Sequence, residues 1–160
     1  MADEGLFEQV AEVVRGSVPR GLGRVRIYAH RVGVKVWFGA ERPSRREHYE
    51  AQLISADILH EAREHALEIG FHTEHSKEAA NEAVLAALLA HENRWRPGLG
   101  DEPVAGPFLG RTTWRRISET WLDPDLTGPD VPFEIGVRLA EYITALEPHV
   151  RPLTITRHEP

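Results

Sequence analysis

The sequence predicts an α+β fold, a two-layer domain in which an antiparallel sheet of four to six strands carries three helices on one face. Three amphipathic stripes place apolar residues at helical spacing near residues 4–15, 77–95 and 131–146. Several of the segments between them alternate polar and apolar residues, hairpin-length connections join them, and no βαβ unit repeats. Helices gathered on one face leave the other face of the sheet for water, a ligand or a partner.

The first third of the chain predicts one helix and one hairpin. Apolar residues recur at helical spacing between Leu6 and Val14. Residues 24–30 and 33–38 then alternate polar and apolar side chains, and only two residues separate them. Such a short connection between alternating segments is typical of a β-hairpin.

Two more strands and a long helix follow a polar loop at residues 41–46. Residues 48–54 and 67–72 alternate as strands do, while residues 56–66 fit a helical turn. Ser76 is a suitable N-cap for the long helix that comes next.

The C-terminal third is less regular. Residues 112–122 fit a strand or a helix, and we favour the strand. The last helix is expected to end at Pro148, because proline removes a backbone donor. We therefore expect a single domain over residues 1–150 and a short tail over 151–160, which is loose or adds an edge strand at 153–155.

Composition restricts the compartment and the partners. The 160 residues include no Cys, which excludes disulfides, thiolate nucleophiles and iron–sulfur clusters. A net charge of −6 argues against nucleic acid as a partner. No signal peptide and no apolar run near the ~20 residues of a membrane helix is present, so we expect a cytoplasmic protein without membrane attachment. Arginine far outnumbers lysine, which suggests a GC-rich bacterial genome.

Alternation along the strands divides the side chains between two faces of the sheet. Where apolar residues such as Val34 and Ile69 turn to the helices, their neighbours turn outward. The outward set mixes cationic, aromatic, carboxylate and imidazole groups, and it includes His48 and Glu74. The residues chosen from it as candidates for binding a ligand or a partner are Arg26, Tyr28, Lys35, Trp37, Glu50, Gln52, Glu68 and His72.

The favoured functional hypothesis is a binding or interaction module that uses this outer face. It depends on Trp37, because an outward tryptophan exposes an apolar area that usually contacts a ligand or another subunit. The partner is expected to be a second copy of the chain, giving a homo-oligomer, or another protein, with a small molecule as the alternative. The simplest reading is that the same residues form ordinary cross-strand pairs on a solvated surface.

The alternative hypothesis is a metal-assisted or acid–base enzyme, hydrolase- or nuclease-like, on the same face. Glu50, Glu68 and His72 would supply the carboxylate and imidazole chemistry. The residues expected to hold the substrate are Lys35, Tyr28 and Arg26. No phosphate loop, dinucleotide fingerprint, serine elbow or H-E-x-x-H motif supports a more specific class of enzyme.

The sequence assigns no metal ligand and no cofactor. His72 and His75 are three residues apart and point to opposite faces if both lie on a strand. Residues 123–134 share the spacing of an EF-hand loop, but their prolines stiffen the backbone and Asp130 occupies the usual aliphatic position. We expect no calcium binding there.

Overall fold

A six-stranded antiparallel sheet forms one layer of the protein, in the spatial order β1-β2-β3-β4-β6-β5. The computed structural model describes residues 5–39 and 46–158. The strands are β1 Val25–His30, β2 Gly33–Phe38, β3 Glu47–Ser55, β4 His65–Thr73, β5 Val104–Phe108 and β6 Arg111–Leu122. The helices are α1 Leu6–Ser17, α2 Glu78–Leu89, α3 Glu92–Trp95 and α4 Val131–His158. The predicted α+β fold is confirmed, and the described residues form four α-helices where three were expected.

Two regular pairings build the half of the sheet that carries the candidate residues. The hairpin of β1 and β2 turns between His30 and Gly33, as predicted. Strands β3 and β4 pair over all nine residues of each, from Glu47 opposite Thr73 to Ser55 opposite His65. Strand β6 pairs with β4 on its other side, so β4 is an interior strand with a neighbour along each edge.

The helices cover one face of the sheet and bury the core against it. Val34, Ile69 and Phe71 lie on this face and are buried, as their positions in the alternating pattern predicted. Helices α1 and α4 approach closely at Gly136, where a Cβ atom would lie 2.5 Å from Val13 Cγ1. The glycine therefore allows the two helices to pack against each other.

Two ambiguous segments adopt extended or turn structure. Residues 56–64 form turns rather than a helix, and β4 begins at His65. Residues 112–122 belong to β6, which confirms the favoured strand. Strand β5 was not predicted, because Gly106 and Pro107 interrupt any alternating pattern. Residues 41–45 of the predicted loop lie outside the described residues.

The long helix predicted for residues 77–95 is interrupted. Helix α2 ends at Leu89, and the short α3 follows after a turn at His91. The ring of His91 is exposed and stacks on the ring of His149, with centroids 5.1 Å apart. His91 therefore lies outside the core, because the helix breaks at this residue.

The predicted end of the last helix at Pro148 is also wrong. Helix α4 continues to His158 through Pro148 and Pro152, so the expected loose tail or edge strand is helical. Leu146 and Val150 are both buried, and this apolar stripe on either side of Pro148 holds the helix against the sheet. Within the described residues, no helix combines the length and the apolar character needed to cross a membrane.

Candidate metal centre

The middle of the outer sheet face is buried, although it carries charged and polar side chains. His48, Glu68 and His72 have no exposed surface, and Glu50 is 4% exposed. A carboxylate withdrawn from water costs several kcal/mol unless it is hydrogen-bonded or paired, so such a cluster needs internal partners. The expectation of ordinary ion pairs on a solvated surface is wrong here.

The pairing of β3 with β4 brings these side chains together. His48 lies directly opposite His72, and Glu50 lies opposite Gly70. Residues opposite each other in an antiparallel pair share a face, and so do residues two apart on one strand. Both imidazoles and the Glu50 carboxylate therefore project from the outer face within a small area.

Four donor groups converge at this point. His48, Glu50, His72 and Glu74 each offer one ligand atom, and these four atoms lie within 4.8 Å of one another. Glu50 Oε1 is 2.9 Å from His48 Nε2 and 3.2 Å from His72 Nδ1. Glu74 Oε2 is 3.7 Å from His48 Nε2 and 3.5 Å from His72 Nδ1.

The other nitrogen of His72 meets a further carboxylate. Its Nε2 donates to Glu68, with 2.7 and 2.9 Å to the two carboxylate oxygens. Glu68 also accepts from Gln52 Nε2 at 3.1 Å and from the Ser118 hydroxyl. The His72 ring is thus held between Glu68 on one side and the four-donor cluster on the other.

Burial and mutual contact fix the ionisation of these groups. Burial alone would raise the pKa of Glu50, but hydrogen bonds from His48 and His72 hold it well below its usual range. Burial likewise opposes the charged form of Glu68, yet the His72 charge and hydrogen bond lower its pKa. Burial disfavours a charged His72, but Glu68 and Glu50 raise its pKa well above the usual value. These shifts favour a protonated His72 beside the ionised Glu50 and Glu68.

One arginine belongs to the same buried neighbourhood. Arg116 Nη1 donates to Ser118 Oγ at 2.9 Å, and burial lowers the pKa of its guanidinium. Glu50, Glu68, Glu74 and Arg116 together have a formal net charge of −2 when both imidazoles are neutral and the three carboxylates are ionised.

Glu74 follows the last residue of β4 and is the member of the cluster nearest to solvent, with 13% of its side chain exposed. The chain beside it is held by Asn81 on α2, which is fully buried. The Asn81 side-chain oxygen accepts from the His75 N–H and from Thr73 Oγ1, and its amide donates to the His75 and Thr113 carbonyls. The position of Glu74 is therefore set by α2 as well as by the sheet.

The sequence-predicted candidates fall into three sets. Glu50, Gln52, Glu68 and His72 form one connected hydrogen-bond network. Lys35 faces outward opposite Glu50 on the adjacent strand. The candidates remaining are Arg26, Tyr28 and Trp37, on β1 and the end of β2.

Two of the remaining candidates, Arg26 and Tyr28, make their contacts away from the cluster. Arg26 Nε donates to the Gly39 carbonyl at 2.8 Å, and Tyr28 is 53% exposed and stacks on His30. Trp37 is only 6% exposed, so the expectation that it presents an apolar surface to a partner is wrong. Its side chain is covered within the protein itself.

The selection from sequence missed two of the four converging residues. His48 and Glu74 belong to the predicted outward set, but they were not chosen as site residues. The sequence could have identified them, because His48 is two residues from Glu50 and Glu74 is two residues from His72, which places each on the same strand face as its neighbour. Phe108 was missed as well, and its ring packs edge-on against the His72 ring with centroids 4.7 Å apart.

The sequence also contained two other possible metal-binding patterns, His72 with His75 and the EF-hand-like residues 123–134, and of these residues only His72 belongs to the four-donor cluster. His75 Nε2 lies 3.2 Å from Glu47 Oε2, and His75 is not a member of the four-donor cluster. In the EF-hand-like segment, the Asp123 carboxylate accepts from the backbone N–H groups of Arg63 and Glu64, which lowers its pKa. These bonds commit Asp123 to the turn before β4.

Comparisons of the chain with models of protein families, with curated proteins and with solved structures find no match. A function for this chain is therefore inferred from the geometry and chemistry of the outer face.

Proposed function

We propose that this protein is a metalloprotein that binds one divalent transition-metal ion between His48, Glu50, His72 and Glu74. The observation that carries the proposal is the convergence of two imidazole nitrogens and two carboxylate oxygens within 4.8 Å, at a buried point of the sheet. For zinc bonds of about 2.0–2.1 Å, donors at the corners of a tetrahedron lie about 3.3 Å apart. Four of the six donor separations, from 2.9 to 3.7 Å, lie around that value, and all six are within 4.8 Å.

The donor set favours a transition metal over magnesium or calcium. Mg²⁺ and Ca²⁺ prefer oxygen ligands, and Ca²⁺ needs six to eight of them. Imidazole suits Zn²⁺, Fe²⁺ and similar ions, and carboxylates complete such sites. Two nitrogens and two oxygens therefore fit zinc or a neighbouring divalent ion best.

Of the two functional hypotheses drawn from the sequence, the metal-assisted one gains support from this geometry. Four protein ligands complete a tetrahedral zinc site, so Lewis-acid chemistry on a bound ion requires a fifth ligand, which would enter beside Glu74, the most exposed of the four. Glu50, Glu68 and His72 lie together, as that hypothesis requires. The interaction-module hypothesis stays a prediction. It has lost its supporting observation, because Trp37 is buried.

Metal titration tests the proposal directly. Chelator-treated protein should bind one equivalent of Zn²⁺ with a Kd below about 1 μM in competition with a chromophoric chelator. His48→Gln, Glu50→Gln and His72→Gln should each weaken binding at least about tenfold, because each removes one ligand.

The matched control is His75→Gln, which changes an imidazole next to Glu74 but outside the four-donor cluster. It should leave the Zn²⁺ affinity within about twofold of wild type. Circular dichroism of each variant verifies that it is folded. The absence of stoichiometric Zn²⁺ binding by wild type, or equal affinity in the control and the ligand variants, contradicts the proposal.

A further inference from the structure

We infer that Glu68 is a positioning residue for the proposed metal centre and holds the His72 ring so that Nδ1 faces the ion. This inference rests on the proposed function. Glu68 is not one of the four converging donors, and it lies on the opposite side of the His72 ring from them.

The two nitrogens of His72 have different surroundings. Nε2 faces only Glu68 among the contacts described above, at 2.7 Å to its nearer oxygen. Nδ1 faces Glu50 at 3.2 Å and Glu74 at 3.5 Å. A neutral imidazole carries its proton on one nitrogen, so the hydrogen bond to Glu68 leaves the Nδ1 lone pair for a metal ion.

Glu68 is itself held on several sides. Gln52 on β3 donates to its Oε1 at 3.1 Å, and the Ser118 hydroxyl on β6 donates to it as well. Arg116 in turn donates to Ser118 Oγ. A carboxylate anchored by two neighbouring strands has little freedom to rotate, and it transmits that rigidity to the His72 ring.

The contact also requires an unusual local geometry. Side chains four residues apart on a strand start about 13 Å from each other, since each residue advances about 3.3 Å. Residue 70 between them, on the same face, is glycine, so no intervening side chain separates Glu68 from His72.

The test compares Glu68→Gln with Glu119→Gln in the full-length chain. Glu119 is a matched buried carboxylate on β6, but it contacts Arg138 and Tyr142 on the helix side of the sheet. Glu68→Gln should bind Zn²⁺ about 10–100-fold more weakly than wild type, the usual cost of losing such a partner. Glu119→Gln should change stability without changing Zn²⁺ affinity.

A spectroscopic readout separates positioning from a purely structural role. Nitrogen-15 spectra of the Zn²⁺-loaded wild type should show His72 protonated at Nε2 and metal-bound at Nδ1, and the absorption of the Co²⁺-loaded protein should change in Glu68→Gln. If Glu68→Gln fails to fold, Ser118→Ala provides the second variant. Loss of one donor to Glu68 should then weaken Zn²⁺ binding about fivefold.

The outcomes are distinguishable from those of the proposed function. Equal Zn²⁺ affinity and unchanged spectra in folded Glu68→Gln, or a His72 ring bound through Nε2, overturn the role of Glu68 and leave the metal site standing. Failure of the wild type to bind Zn²⁺ overturns both.

Discussion

Glu68 and His72 are separated by three residues of a single strand, yet their side chains meet at 2.7 Å above Gly70. Gly70 also lies close to β6, where a Cβ atom would fall 2.3 Å from the Ile117 carbonyl oxygen and 2.6 Å from Ser118 Cα. Its φ of +154° adds strain for any other residue. Gly70 therefore serves both the packing of β4 on β6 and the cluster above it.

Gly70→Ala should lower the free energy of unfolding by more than about 2 kcal/mol, because the backbone atoms that it would strike cannot move independently of the sheet. Urea denaturation followed by circular dichroism measures this. Gly106→Ala on β5 is the matched control, since a Cβ atom there meets nothing within 4 Å. It should change stability by less than about 1 kcal/mol. Similar losses in the two variants would contradict this account of Gly70.

Asn81→Ala should destabilise the protein by at least about 2 kcal/mol and weaken Zn²⁺ binding. The buried Asn81 side chain makes four hydrogen bonds, two of them to the backbone of His75, and alanine leaves those partners unsatisfied. Glu74 precedes His75 and loses its fixed position. Denaturation and metal titration of the same sample measure both effects. The exposed Asn93 gives the control Asn93→Ala, for which no change in affinity is expected. Wild-type affinity in folded Asn81→Ala would show that α2 does not position Glu74.

Trp37→Ala should cost about 3–5 kcal/mol of stability, as expected for truncating a buried tryptophan. Tyr28→Ala is the control from the adjacent strand, because Tyr28 is largely exposed, and it should cost less than about 1 kcal/mol. Denaturation measures the stability, and size-exclusion chromatography with light scattering records the oligomeric state of each protein. A Trp37→Ala variant of unchanged stability and altered oligomeric state would restore the interface hypothesis.

Glu147 on α4 predicts a pH dependence of stability that is separate from the metal centre. Burial raises its pKa to about 7, although Tyr49 donates to it at 2.8 Å. Because the folded-state pKa is raised above the unfolded one, this contribution is fully present below about pH 4.5 and is lost as the pH rises through 7. The difference from the unfolded pKa corresponds to roughly 3 kcal/mol.

Glu147→Gln should remove this part of the pH dependence and make the protein more stable than wild type at pH 8. Denaturation curves of both proteins between pH 5 and pH 8 give the difference. Glu141→Gln on the same helix is the control, because nearly half of the Glu141 side chain is exposed. Parallel pH profiles for wild type and Glu147→Gln would show that Glu147 ionises normally in the folded protein.

The sequence predicted the face of each candidate residue but not the distances between them. Alternation alone placed Glu50, Gln52, Glu68 and His72 outward, and all four lie together. Their convergence depends on the register that sets His48 opposite His72. The connection between the two strands is not a short turn of standard length, so the sequence does not determine that register.

The burial of the outer face could not be predicted from the sequence either. Polar side chains at alternate positions normally indicate a solvated face, and Trp37 among them suggested a surface patch. Whether such a face is covered depends on contacts between residues far apart in the chain, such as Phe108 against His72. The end of α4 was missed for a similar reason, since tertiary burial of Leu146 and Val150 outweighs the local effect of Pro148.

The pairing of β3 with β4 has a consequence for how the chain finds its native arrangement. A slip of one residue between these strands would turn His48 and Glu50 toward the helices and abolish the proposed metal site, so an ion bound there would select a single alignment. Binding would then slow the exchange of amide hydrogens along this strand pair more than in α1 or β1. The ion would cross-link β3 and β4 and stabilise the native pairing, in a protein that has no disulfide to do so.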